Sequence, residues 1–142
     1  MQCMRIAVAI TALSAAPAFA ENWADVTRTP EGALVSVDKD STEISAGHVK
    51  FWDRTVLPAA QLIGIYDDKL MKAQNINGVT HYVEMRGYRD VNCQKHLYGT
   101  SAVNYYDAKG TAVSKGLQDA APTPIAPGTL AAQEAKLMCP SS

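Results

Sequence analysis

The chain has 142 residues, with 13 Lys and Arg, 14 Asp and Glu, and 3 Cys. That length suits one domain built on one core. The near-balanced charge, with no basic block or stripe, argues against nucleic acid as a partner, and beyond the N-terminus no apolar run is long enough to span a membrane.

In the first 20 residues, Arg5 supplies a short positive start and Ile6–Ala16 an apolar run of small and branched residues. Ala18-Phe19-Ala20 fits the A-x-A pattern cut by signal peptidase. The segment 1–20 reads as a secretory signal peptide whose apolar run is too short for a transmembrane helix; the alternative is a buried N-terminal helix. The mature chain, 21–142, loses Arg5, which leaves 12 basic against 14 acidic residues and a net charge of −2 with His neutral. Cys3 precedes the apolar run, so it is not placed as the lipidated cysteine of a bacterial lipoprotein. The expected location is therefore exported, periplasmic or secreted, with no lipobox. Cys93 and Cys139 remain. An even count in an oxidising compartment reads as one disulfide, and closing so long a loop stabilises by roughly 4 kcal/mol in the chain-entropy view. Two free or metal-binding thiols are the other reading, without a C-x-x-C to support it.

A first strand is expected in Glu21–Thr27, with Trp23 as a core anchor. Pro30 and Gly32 mark a turn, and Ala33–Asp38 a second strand with Val35 and Val37 on one face. Thr42–Ser45 is short, and Ala46-Gly47 turns the chain into His48–Leu57. There Val49, Phe51 and Thr55 point one way and Trp52, Arg54 and Val56 the other. Pro58 is expected to end that strand. Pro58–Asn77 reads as a loop with short helix, at Ala59–Ile63 and again at Asp68–Gln74. Asn77-Gly78 then launches a long strand, Val79–Cys93. Alternation sends its odd positions, among them Val83, Met85 and Val91, toward a core, and its even positions toward solvent. Gly87 suggests a bulge or bend, and His81 and Arg89 on the odd face need an edge or a partner. Gln94–His96 connects to a return strand, Leu97–Tyr106, and Asp107–Gly110 is a hairpin loop into Thr111–Ser114. Gly116–Ala126 is expected to wrap the surface. Thr129 can cap a last helix, Leu130–Met138, on which Leu130, Glu134 and Leu137 share one face with Ala131 and Met138 close to it, a short apolar stripe. The fold class is α+β: an antiparallel β-sheet of about five to six strands with the C-terminal α-helix packed on it and one disulfide.

No phosphate-cradling loop, dinucleotide fingerprint, nucleophile elbow or zincin motif occurs, so no catalytic residue and no cofactor are assigned. His48, His81 and His96 lack ligand spacing and read as ordinary strand-end or surface histidines rather than metal ligands. Asp67-Asp68 reads as a solvated loop. Tyr82, Arg86 and Tyr88 share the even face of Val79–Cys93, and the hairpin partner adds Tyr98 and Tyr106. Tyr and Arg are favoured at protein-recognition patches, though Tyr is equally at home in ordinary sheets.

The order of these features resembles the surface-adhesin protein E family. A Trp follows the cleavage point, and Val35–Asp38 is followed by Ser41-Thr42-Glu43-Ile44 and by Val49-Lys50-Phe51-Trp52. A strand runs into a cysteine at Asp90-Val91-Asn92-Cys93. Tyr106-Asp107-Ala108-Lys109-Gly110 and Ile125–Thr129 come next, before a short helix ending in Cys139. The similarity spans nearly all of 21–142. It implies an antiparallel sheet with a packed C-terminal helix, and a cell-envelope protein that binds macromolecules, with host matrix or cell-surface proteins as partners. The lipoprotein cysteine is missing and Pro58–Asn77 stands outside the pattern. A small periplasmic ligand-binding or enzyme-inhibitor domain is the alternative. With no metal or cofactor assigned, the purified protein should melt at the same temperature with and without a chelator. A clear drop on chelation would make His48, His81 and His96 candidate ligands.

Overall fold

The computed structural model describes residues 21–66, 76–117 and 121–140. The expected signal peptide, Asp67-Asp68 and the expected helical turn at Asp68–Gln74 lie outside these residues. Among the described residues eight strands and one helix follow in order: β1 (Trp23–Arg28), β2 (Leu34–Asp38), β3 (Glu43–Ser45), β4 (His48–Tyr66), β5 (Ile76–Asn92), β6 (Leu97–Tyr106), β7 (Ala112–Leu117), β8 (Thr123–Pro124) and α1 (Leu130–Met138). All belong to one antiparallel sheet in the order β1-β2-β4-β5-β6-β7, with β3 added to β4 and β8 to β6. The α+β class expected from the sequence is the one found.

Short hairpins build this sheet. Between β3 and β4 only Ala46 and Gly47 intervene, at φ 49° and 81°. Two successive positive φ values match the twist of the flanking strands, as two-residue hairpin turns require. Ala46 carries the steric cost that Gly47 avoids.

Pro58 does not end a strand, and no helix forms at Ala59–Ile63. β4 runs on to Tyr66, and its pairing with β5 slips: Val56 faces Glu84, while Gln61 faces Tyr82. The residues between Val56 and Gln61 bulge out where β4 leaves β2, whose pairing with β4 stops at Leu34 and Val56. A bulge is where a strand tolerates proline, since the missing N–H has no ladder bond to break. Past it, Gln61–Tyr66 and Ile76–Tyr82 continue as a two-stranded ribbon. Within Gly116–Ala126, β7 extends to Leu117 and Thr123-Pro124 pairs with β6, so part of that segment is strand.

The core lies on the face of the sheet that α1 covers. Val37, Val49, Phe51 and Val91 are buried there against Met138, with Ala24, Val26, Ile125, Ala135 and the disulfide around them. Each such side chain stabilises by about 1.5–3 kcal/mol. The helix begins where expected, with the Thr129 hydroxyl accepting the Ala132 N–H at 3.2 Å. Its buried side chains are Glu134 and Met138, four residues apart. Leu137, expected in the apolar stripe, is 41% exposed. The helix turns a carboxylic acid inward because polar partners await it on the sheet.

Cys93, just past β5, is bonded to Cys139, just past α1, with Cα atoms 5.8 Å apart. The bond closes a loop across 46 positions. Cys139→Ser should lower the unfolding free energy by about 2–5 kcal/mol, measured by urea denaturation. A change within error would show that packing alone holds the helix.

Candidate binding face

Strand alternation gives the sheet two chemically different faces. Register places Asp25, Ser36, Arg54, Arg86 and Asn104 in one row across β1, β2, β4, β5 and β6. A neighbouring row holds Trp52, Tyr88 and Ala102, and another Val56, Glu84 and Tyr106. These rows lie opposite the helix, and among the described residues no second layer covers them.

Aromatic rings and guanidinium groups knit this face together. Trp52 and Tyr88 pack with ring centres 5.1 Å apart. Trp23, at the start of β1, receives the Arg54 guanidinium at 4.5 Å from its ring centre and the Arg86 guanidinium at 5.4 Å. Arg86 also lies 4.7 Å from the Tyr106 ring centre. Arg54 and Arg86 are register partners. Like charges so placed repel, and the negative ring face of Trp23 draws both. Glu21 accepts from the Trp23 indole N–H at 2.9 Å and from Arg86 at 2.7 Å, and Glu84 takes the Arg86 Nε–H. Burial works to lower the Arg86 pKa, but Glu84 and Glu21 outweigh it and the net shift is upward. Burial, then Glu43, raises the Tyr88 phenol. A small cavity of about 120 Å³ opens here, bordered by Trp23, Trp52, Tyr106, Asp38, Glu21 and Arg86.

Of the three residues singled out from the sequence, Arg86 and Tyr88 sit together on this face, both partly exposed, with the Arg86 side chain at 24%. Tyr82 is also partly exposed, but its ring packs T-shaped with Tyr105, ring centres 4.9 Å apart, away from the Trp23 cluster. Sequence reasoning did not gather Trp23, Trp52, Arg54, Glu21 and Asp38 into the site. The alternation of Trp52 and Arg54 was visible; the register that sets them beside Tyr88 and Arg86 was not.

Tyr98 joins the opposite face. Tyr88 pairs with Ala102, but Arg89 pairs with Thr100, which leaves Ser101 as an extra residue in β6. One extra residue reverses the alternation beyond it. Tyr98 therefore falls opposite Val91, and its hydroxyl donates to Glu134 Oε2 at 2.6 Å. Beside it, the buried Asp53 accepts from the Gly87 N–H at 2.9 Å and from Arg89 Nε at 2.6 Å, and Arg89 also donates to Thr100. A Cβ at Gly87 would meet the Arg89 guanidinium and push it from its place beside Asp53 and Thr100. Burial works to lower the Arg89 pKa, and Asp53 reverses it. Tyr98 is raised far above the usual phenol range, by burial first and Glu134 second. The Glu134 carboxyl, fully buried and facing Asp53, is raised to about 8, chiefly by burial and then by Asp53. Its Oε1 has no donor. A proton on that oxygen would let it donate toward Asp53 and bring the cluster of two carboxyls and one guanidinium to zero net charge.

The family model described as Surface-adhesin protein E matches residues 23–140. The fold resembles a solved structure of Haemophilus influenzae protein E, with a TM-score of 0.55 at 13% identity, over 81% of each chain. A second crystal form of that protein gives 0.49 at 15% identity, covering 72% of this chain and 77% of that one. Protein E from non-typeable Haemophilus influenzae gives 0.49 at 14%, covering 72% and 67%. No curated protein sequence matches. At these identities the structural likeness speaks for the fold.

The Glu134 carboxyl titrates higher in the folded chain than the ordinary 4.5. Its contribution to stability is therefore complete below about 4.5 and is lost as pH rises toward about 8. One proton gives a slope of at most about 1.4 kcal/mol per pH unit. Glu134→Gln, which keeps an acceptor for Tyr98 and gains a donor toward Asp53, should flatten that slope in urea unfolding measured across this window. An unchanged slope would place the titration elsewhere.

Proposed function

The chain belongs to the surface-adhesin protein E family, and from that premise we propose an exported cell-envelope binding protein that attaches to host matrix or cell-surface proteins. The observation that carries the reading is the face opposite the helix, where Trp52, Tyr88, Trp23, Tyr106 and Arg86 stand partly exposed with no covering layer among the described residues. Such side chains bury much area on contact while keeping polar tips. Export is supported by the signal-like segment 1–20 and by the disulfide, which belongs to oxidising compartments. The family describes adhesion, and we assign no catalytic role. Tyr82, Arg86 and Tyr88 remain the proposed binding residues, with Trp23, Trp52 and Tyr106 added.

A second reading, a small periplasmic ligand-binding domain, is favoured by a cavity of about 550 Å³ beside the disulfide, bordered by Ile44, Val49, His96 and Pro140. That size falls in the usual ligand range of about 300–1,000 Å³.

Attachment to immobilised matrix proteins and to host cells tests the first reading. The triple variant Tyr82→Ser, Arg86→Ala, Tyr88→Ser should bind at least about tenfold more weakly, the loss of a hot spot or more, with little change in melting temperature. Because both tyrosines pack on neighbours, Arg86→Gln is measured beside it and should show part of the same loss. Full attachment by both variants would sink the face as the binding surface, and no attachment by the unaltered protein would sink adhesion itself.

A further inference from the structure

The small cavity on the open face has a chemistry of its own. Three rings, Trp23, Trp52 and Tyr106, border it together with two carboxylates, Glu21 and Asp38; Arg86 is the cation in its lining. Counting also Arg54, which lies over Trp23, and Glu84, which is bonded to Arg86, three carboxylates stand against two guanidiniums, one more negative than positive charge. Ring faces add negative potential, and rings with carboxylates around a small space are the arrangement that holds an ammonium or guanidinium group. The chain already uses that chemistry on itself: Arg86 stacks on Trp23 and Tyr106 and is held by Glu21.

Asp38 is the second pointer. It is only 8% exposed, yet it borders the cavity. Its Oδ1 accepts the Asp40 N–H at 3.0 Å, and among the described residues no cation pairs with it. A nearly buried carboxylate without a cation is costly to hold, and an incoming positive charge would offset that cost. At about 120 Å³ the space is far below that of a cofactor site of about 300–1,000 Å³; it suits the end of one side chain.

We propose that this cavity takes the charged end of a Lys or Arg side chain from a basic segment of a protein partner, seated among the three rings with its charge at Asp38. The proposal rests on the open face being the attachment surface and specifies the partner's chemistry. Glu21, whose side chain is 45% exposed, stands at the rim and supplies a second carboxylate to the incoming cation.

The test uses the purified protein and three blocked tripeptides, Gly-Lys-Gly, Gly-Glu-Gly and the uncharged norleucine analogue. The Trp23 and Trp52 indole N–H signals are followed by NMR during titration. The Lys peptide should shift them saturably, and the other two should not. Asp38→Asn keeps an acceptor for the Asp40 N–H and should weaken the Lys peptide about tenfold, the effect of one partly desolvated charge contact. Trp52→Leu, which removes a ring and no charge, should weaken it too and serves if Asp38→Asn does not fold. Equal binding of the Glu or norleucine peptide, no saturable shift, or full binding by a folded variant would overturn the proposal. The attachment assay separates the two readings. Face-dependent attachment that Asp38→Asn leaves intact removes the cation site and keeps adhesion, whereas Lys-peptide binding without attachment keeps the site and removes adhesion.

Discussion

A carboxylic acid buried beneath a short helix sets the terms for the rest of this structure. Glu134 occupies a place where a helix of nine residues would ordinarily put a leucine. A helix that short has little stability alone and is held by what it docks on. The acid therefore dictates the sheet below: Tyr98 must reach it, Arg89 must offset the charge of the neighbouring Asp53, and Thr100 takes another of Arg89's donors. The bare Gly87 leaves the guanidinium its space. A cluster so interlocked costs more when one member is removed than when it is satisfied throughout. It also fixes which strand position meets which, as an all-apolar contact would not.

The same strands serve two ends because a strand side chain has only two directions. Arg86 and Arg89 lie three residues apart on β5 and belong to different worlds. One stacks on rings in the open, and the other neutralises a buried acid. The open face can change its rings and charges without disturbing the packing under the helix. A family built this way can keep one fold while its surfaces diverge, consistent with a shared architecture at 13% identity.

Much of this was legible in the residues. Alternation found the strands, Thr129 and Cys139 bounded the helix, and an even cysteine count with a signal-like N-terminus gave the disulfide. Three features were not, each for a physical reason. Pro58 reads as a strand end because it lacks an N–H, and only the pairing slip between Val56 and Gln61 shows that none was needed there. Tyr98 reads as a partner of Tyr82 and Tyr88 until the extra Ser101 reverses its side. Glu134 shares a helix face with Leu130 and Leu137 in the sequence pattern, but nothing local reveals that a tyrosine and a second acid lie across from it. Bulges and buried acids are long-range facts, whereas periodicity is a short-range signal.

The Cys93–Cys139 bond also bears on what happens when the chain is pulled. Strands β6, β7 and β8 and the helix all lie inside the covalent loop it closes. Tension applied between a point before Cys93 and one after Cys139 passes through the sulfur atoms and cannot draw those elements out. Forty-six positions of chain, about 150 Å when extended, are withheld from stretching. The slack available under such a load comes from β1 to β5 alone, so an intact bond would shorten the extension between the two pulling points and keep three of the eight strands shielded.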